Sequence, residues 1–128
     1  RFDTPSVPAV VMGEGARLVR VIDNLIDNAI SFSPDGGLIV IRTAREEEDM
    51  VRVTVEDEGP GVPEEARDKV FNRFQSLRPP GEAFGTHSGL GLAIAKTIVD
   101  AHRGEIGVEP RRDRLSGARF VVRLPARP

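Results

Sequence analysis

"MVRVTVEDEGPGVP", Met50 to Pro63, sets Val51, Val53 and Val55 in alternation with Arg52, Thr54 and Glu56 and then breaks into a glycine- and proline-rich turn. A period of two predicts a strand with one face in the core. Just before it, "LIVIRTA", Leu38 to Ala44, is a second β-branched run, and the acidic turn "REEED" joins the two into a hairpin. "GEIGVEP" and "ARFVVRLP" near the end of the chain predict two more strands, the latter turning Phe120, Val122 and Leu124 inward. "VPAVVM", Val7 to Met12, predicts a short strand near the start.

Two segments follow the helical period instead. From Ala16 to Phe32, Leu18, Ile22, Leu25 and Ala29 form an apolar stripe widened by Val21 and Ile26, while Arg17, Arg20, Asn24 and Asn28 take another face. "GLGLAIAKTIVDAH" predicts a second helix with Ile94, Ile98 and Ala101 on one face and Gly104 beyond its end. "PEEARDKVF" predicts a short helix, and Gln75 to Ser88 a long irregular loop. Strands outnumber helices, and each helix is apolar on one stripe only. The economical packing is an α/β fold, a two-layer sandwich of one sheet with helices on one face.

The chain has 128 residues, enough for one core. Its 18 Lys and Arg against 20 Asp and Glu supply no basic field for nucleic acid or anionic lipid, so any phosphate binding is local. No cysteine is present, which excludes disulfides, thiolate metal clusters and cysteine nucleophiles and fits a reducing compartment. No apolar run approaches the ~20 residues of a membrane span. The chain opens without methionine or signal-peptide pattern, so we expect a cytoplasmic piece of a longer protein.

Three features carry chemistry. Asp57 ends a strand ahead of Gly59 and Gly61. This is either an ordinary tight turn or a carboxylate that accepts a hydrogen bond from an exocyclic amine, with glycines admitting a flat base; adenine has such an amine. Gly85, Gly89 and Gly91 stand at the mouth of a helix whose free N–H groups favour an anion. The pattern is neither a dinucleotide fingerprint nor a Walker A loop. Asn24 and Asn28, one turn apart, are poor helix formers that either bond neighbouring backbone or serve as hard neutral ligands for magnesium beside a nucleotide's phosphates. Of Phe71 and Phe74, at least one is expected in the core; His87 and His102 lack the spacing of a metal pair or triad.

In order, "NLIDNAISF", "DEGPGVP", "VFNRF" and "GTHSGLGLAIAKTIVDAHRGEI" resemble the N, G1, F and G2 boxes of the ATP-binding catalytic domain of sensor histidine kinases, in the gyrase, Hsp90, histidine kinase and MutL superfamily. "RPPGEAFGTHSGLGLAIAKTIVDAH" is further similar to the ChvG/ExoS type of alphaproteobacterial kinase. The resemblance covers nearly all of residues 1–128 and implies the Bergerat fold, with a mixed, mainly antiparallel sheet and a lid over residues 75–88. It implies ATP and Mg2+ as cofactors, with Asn28 as the metal ligand and Asn24 facing the phosphates or the metal's water shell. Asp57 would recognise the adenine amine, Gly59 and Gly61 shape the pocket, and Phe32 lie against the base. Gly89, Leu90, Gly91 and Leu92 would hold the triphosphate, with Phe74, Gly85, Thr86, His87 and Ser88 lining the nucleotide from the F box and lid. Ser31 stands where many members carry a basic residue, which leaves Arg73 and Arg78 as the nearest replacements.

Gyrase and Hsp90 carry a glutamate general base at the position of Asn24, and an amide cannot take a proton there. Asn24 and Arg73 are therefore expected to serve phosphoryl transfer rather than hydrolysis. By the resemblance, the acceptor is a histidine on a separate dimerisation domain of the same kinase, with a response regulator as the indirect partner of an otherwise monomeric domain. No nucleic acid or direct membrane contact is expected, and the parent is expected at the inner membrane. A serine kinase of the anti-sigma-factor type and a nucleotide-gated, non-catalytic interaction module remain as alternatives.

Overall fold

A computed structural model describes residues 2–3, 15–72, 90–111 and 116–125. The strand expected over Val7–Met12 and the lid expected over 75–88 lie outside the described residues. The described elements are β1 (Phe2–Asp3), α1 (Gly15–Phe32), β2 (Val40–Glu46), β3 (Met50–Glu56), α2 (Gly91–Ala101), β4 (Glu105–Pro110) and β5 (Ala118–Pro125). They build one sheet in the order β1-β2-β3-β5-β4, antiparallel throughout except that β1 runs parallel to β2. This is the mixed, mainly antiparallel α/β arrangement expected.

The alternation in β3 places two cross-strand rows on one face of the sheet. Ile41, Val55, Phe120 and Val108 form one, and Thr43, Val53, Val122 and Ile106 the other. Such rows are the unit of sheet stabilisation. Both helices close over this face: Val21, Leu25 and Ala29 of α1 and Ala95, Ile98 and Val99 of α2 share one core with Val55, Phe120, Val122 and Leu124. Phe71 joins it, edge-on to Phe120 with ring centroids 6.2 Å apart. It is the core phenylalanine expected of the Phe71 and Phe74 pair.

Three local differences from the sequence reading have physical causes. "PEEARDKVF" folds as two 3-10 turns, Glu64–Ala66 and Lys69–Phe71, because so short a stretch without a side-chain cap does not hold an α-helix, whereas two tight turns suffice to bury Val70 and Phe71. Ala101 is exposed, since the inner stripe of α2 runs through Ala95, Ile98 and Val99. Arg103, not Gly104, takes the left-handed conformation after α2, at φ 60°. There Gly104 N–H donates to the Val99 carbonyl at 2.9 Å and Arg103 N–H to that of Asp100 at 3.1 Å, a Schellman closure. Glycine is needed at 104 for closeness, because a β-carbon there would stand 2.4 Å from the Arg123 carbonyl oxygen.

The helix-free face carries ion pairs. At the hairpin end Arg52 and Arg123 lie directly opposite each other, and Glu46 bridges them, accepting from Arg123 Nε at 2.9 Å and Arg52 Nη1 at 3.2 Å. At the other end Glu56 is buried and meets Arg42 and Arg111.

Leu25 is fully buried at the centre of the α1 stripe. Leu25→Ala is expected to lower unfolding free energy by about 2–5 kcal/mol. Urea denaturation monitored by circular dichroism reads this as a lower midpoint at unchanged slope.

Candidate nucleotide-binding site

One residue beyond β3, Asp57 stands opposite Ala118, the first residue of β5, and its N–H donates to the Ala118 carbonyl at 3.0 Å. In an antiparallel ladder such a pair normally exchanges both backbone bonds. Here the Ala118 N–H donates instead to the Asp57 carboxylate, Oδ1, at 3.2 Å. The Gly59 N–H donates to the same oxygen at 2.9 Å. The second carboxylate oxygen, Oδ2, has no hydrogen-bond partner among the described residues. Asp57 is 2 % exposed, and burial pushes its carboxyl above the ordinary aspartate value of 3.8. The N–H groups of Gly59 and Ala118 and the Arg111 guanidinium pull the other way.

The turn after Asp57 is fastened to the end of α1. A β-carbon on Gly59 would lie 2.7 Å from the Phe32 carbonyl oxygen, so only glycine lets the turn come this near the helix. The Glu58 N–H donates to Ser33 Oγ at 3.2 Å, and Glu58 Oε1 accepts from the Leu38 N–H at 2.9 Å. Gly61, at φ 82°, packs against the Gly117 carbonyl. These contacts bring the backbone at the end of α1, at Phe32 and Ser33, close to the Asp57 turn.

One α1 stripe connects this turn with the start of α2. Asn24 Nδ2 donates to the Gly91 carbonyl at 3.0 Å, joining the middle of α1 to the first residue of α2. Asn28 lies one turn further along α1, partly buried, and its side-chain amide has no hydrogen-bond partner among the described residues. Asn24 to Phe32 spans about 12 Å of helix axis. At the Asn24 end, the first turn of α2 has neither a side-chain cap at Leu90 nor an acidic residue, so among the described residues nothing offsets the positive pole of its N–H groups and dipole. At the Phe32 end lies a buried acceptor. The strip between them fits a ligand with an amine-bearing ring at one end and anionic groups at the other.

Asn24, Asn28, Phe32, Asp57, Gly59, Gly61, Leu90, Gly91 and Leu92 are thus gathered around α1, the Asp57 turn and the start of α2. Arg73, Phe74, Arg78, Gly85, Thr86, His87, Ser88 and Gly89 lie outside the described residues. His102 is the C-cap of α2, its ring Nδ1 2.8 Å from the Ile98 carbonyl. No group of three or more His, Cys, Asp or Glu suited to a metal occurs among the described residues, so a cation here would rely on an amide oxygen and on its ligand. No helix among the described residues is long and apolar enough to cross a membrane.

Sequence reasoning passed over Arg111 and Gly117. The only signal was a glycine directly before a strand and an arginine directly after one, which is too common to single out.

Residues 13–128 match the family model described as histidine kinase-, DNA gyrase B-, and HSP90-like ATPase. The chain is 46% identical over its whole length to the sensor protein ChvG of Rhizobium meliloti and spans 23% of that protein. It superposes on a solved structure of the mycobacterial sensor histidine kinase MprB with a TM-score of 0.83 at 33% identity, covering 99% of this chain and 82% of that one. Full-length ShkA, solved in complex with AMPPNP, matches with a TM-score of 0.80 at 28% identity over 98% of this chain and 25% of that one. Fold, box order and a family match over residues 13–128 agree, and the chain belongs to the histidine kinase-, DNA gyrase B- and HSP90-like ATPases.

Proposed function

We propose that this chain is the ATP-binding catalytic domain of a sensor histidine kinase, which binds Mg-ATP and presents the γ-phosphoryl group to a histidine on a separate dimerisation and phosphoacceptor domain. In this reading residues 1–128 form one nucleotide-binding unit with its lid at 75–88. The domain works in the cytoplasm as part of a membrane-anchored parent and acts on a response regulator only through the acceptor.

The observation that carries the reading is the pairing of a buried, half-free carboxylate at one end of the Asn stripe with an uncapped helix N-terminus at the other. Asp57 Oδ2 is free to accept the adenine amine while Oδ1 is held by two backbone N–H groups. The N–H groups at the start of α2 suit the phosphates. Asn28, between them, offers its amide oxygen to magnesium, which when bound would neutralise charge on the phosphates and keep most of its waters. ShkA, with its AMPPNP, lends this assignment support by analogy.

The choice of transfer over hydrolysis rests on Asn24. Its amide donates to the Gly91 carbonyl, which a carboxylate cannot do, and it has no basic atom with which to activate water. This position therefore fixes the start of α2 where the phosphates would lie. Acceptor and any general base come from the other domain.

Three outcomes are expected. In calorimetric titrations with a non-hydrolysable ATP analogue, magnesium strengthens binding to the wild-type chain, and Asn28→Ala loses that gain while keeping metal-free affinity. Equal magnesium gains in both would remove Asn28 from the metal site.

Asp57→Asn keeps an oxygen for Gly59 and Ala118 but turns the second atom from acceptor to donor, so ADP affinity falls at least about tenfold. Its thermal stability follows the opposite course. Because the folded carboxyl titrates above 3.8, wild-type stability rises as pH falls through the raised value and levels off below 3.8. The variant lacks this increment, so it melts no lower than wild type at neutral pH, and its relative advantage disappears in acid. A parallel loss of folding and binding at neutral pH would count against the assignment.

Asn24→Asp places a carboxylate against the Gly91 carbonyl, which costs about 1–3 kcal/mol through the lost and repulsive contact. A steady-state ATPase assay is expected to show only slow turnover in wild type and no gain in this variant. Efficient hydrolysis by the wild-type chain alone would overturn the transfer reading.

A further inference from the structure

Because the Asp57 side chain takes the Ala118 N–H, the Asp57 main-chain carbonyl loses the ladder donor that would ordinarily satisfy it. That carbonyl is buried with the rest of the residue. Its donor is Arg111 Nη1, at 3.1 Å, from just beyond β4. Arg111 is itself 9 % exposed, and its Nε lies 3.7 Å from Oε2 of Glu56, a buried carboxylate that also pairs with Arg42. Gly117 makes room for this bracket. At φ 107° it already has a conformation that disfavours other residues, and a β-carbon there would stand 2.4 Å from the Asp57 carbonyl oxygen and 2.8 Å from Arg111 Cδ.

We propose that Arg111, held by Glu56 and admitted by Gly117, is a positioning residue for base recognition: by satisfying the Asp57 carbonyl it keeps the Asp57 side chain in the ladder with its second oxygen turned to the ligand. Without the guanidinium, the least costly way to satisfy the buried carbonyl is to return it to the Ala118 N–H, which displaces Oδ1 and swings the carboxylate out of line. Adenine selectivity then depends on an arginine 54 residues from the aspartate it serves. At this end of the sheet the ionisable side chains of the packed elements are Glu56 of β3, Glu58 after it, Arg42 of β2, and Arg119 of β5, which pairs with Glu109 of β4; Arg45, Glu46, Arg52, Glu105 and Arg123 lie toward the hairpin end. Arg111 alone among these cations donates to Asp57.

The inference rests on the reading of Asp57 as the amine acceptor, and the test separates the two. ADP and IDP, which differ by an amine against an oxo group on the base, are titrated calorimetrically into wild type, Arg111→Met, Arg111→Lys and the double variant Arg111→Met with Glu56→Gln, across a range of pH. Arg111→Met is expected to weaken ADP at least about tenfold while leaving IDP nearly unchanged, which erases the wild-type preference. The pH below which ADP binding fails should also move upward, since a cation that favours the carboxylate is gone. Arg111→Lys should recover part of the preference. The double variant removes the buried charge left behind and gives the same readout if the single variant does not fold. Parallel loss of ADP and IDP, or retention of the full preference and pH profile, would overturn the role of Arg111. No preference in the wild-type chain would overturn the reading of Asp57, and this inference with it.

Discussion

One exchange of hydrogen-bond acceptors, a carboxylate oxygen standing where the ladder would place a peptide oxygen opposite Ala118, constrains the whole Asp57 end of the candidate site. Asp57 must be buried to lie in the ladder, and burial disfavours its charge. Two backbone N–H groups offset part of that, and the displaced carbonyl requires the Arg111 donor. The turn must then reach Phe32 on one side and Gly117 on the other, which removes β-carbons at residues 59 and 117. A residue that weakens the fold in its charged form is characteristic of positions kept for binding.

The other end of the site depends on α1 as a ruler. Its inner stripe of Val21, Leu25 and Ala29 is locked over the sheet, so the flanking row of Asn24, Asn28 and Phe32 has a fixed direction. Asn24 ties that row to Gly91, and the glycine turn ties it to Asp57 through Phe32 and Ser33. The candidate site rests on the separation of a helix terminus and a strand end along one helix rather than on either feature alone.

The parts legible in sequence are those in which burial is one-sided. β3 and α1 announce themselves because every second residue, or every third and fourth, faces the same core, and the Asn row is visible as two amides one turn apart beside the stripe. The two 3-10 turns were not legible, because Val70 and Phe71 reach the core by a path that leaves no period. The burial of Asp57 was equally hidden: its sequence context shows a turn, whereas its chemistry follows from Ala118, which is 61 residues away. Arg111 and Gly117 belong to none of the recognisable boxes. Their role appears only once β4 and β5 are laid beside β3.

The bridging of Arg52 and Arg123 by Glu46 gives the sheet two unlike ends. All three side chains at the hairpin end are partly open to water, so dissolved ions compete with their pairing. At the opposite end Glu56 and Arg111 are almost wholly enclosed, and the same ions do not reach them. Raising ionic strength therefore slackens the sheet from the hairpin side, leaving the Asp57 side as the last to loosen. Two clusters with similar composition thus divide one sheet into a salt-responsive margin and a salt-indifferent anchor.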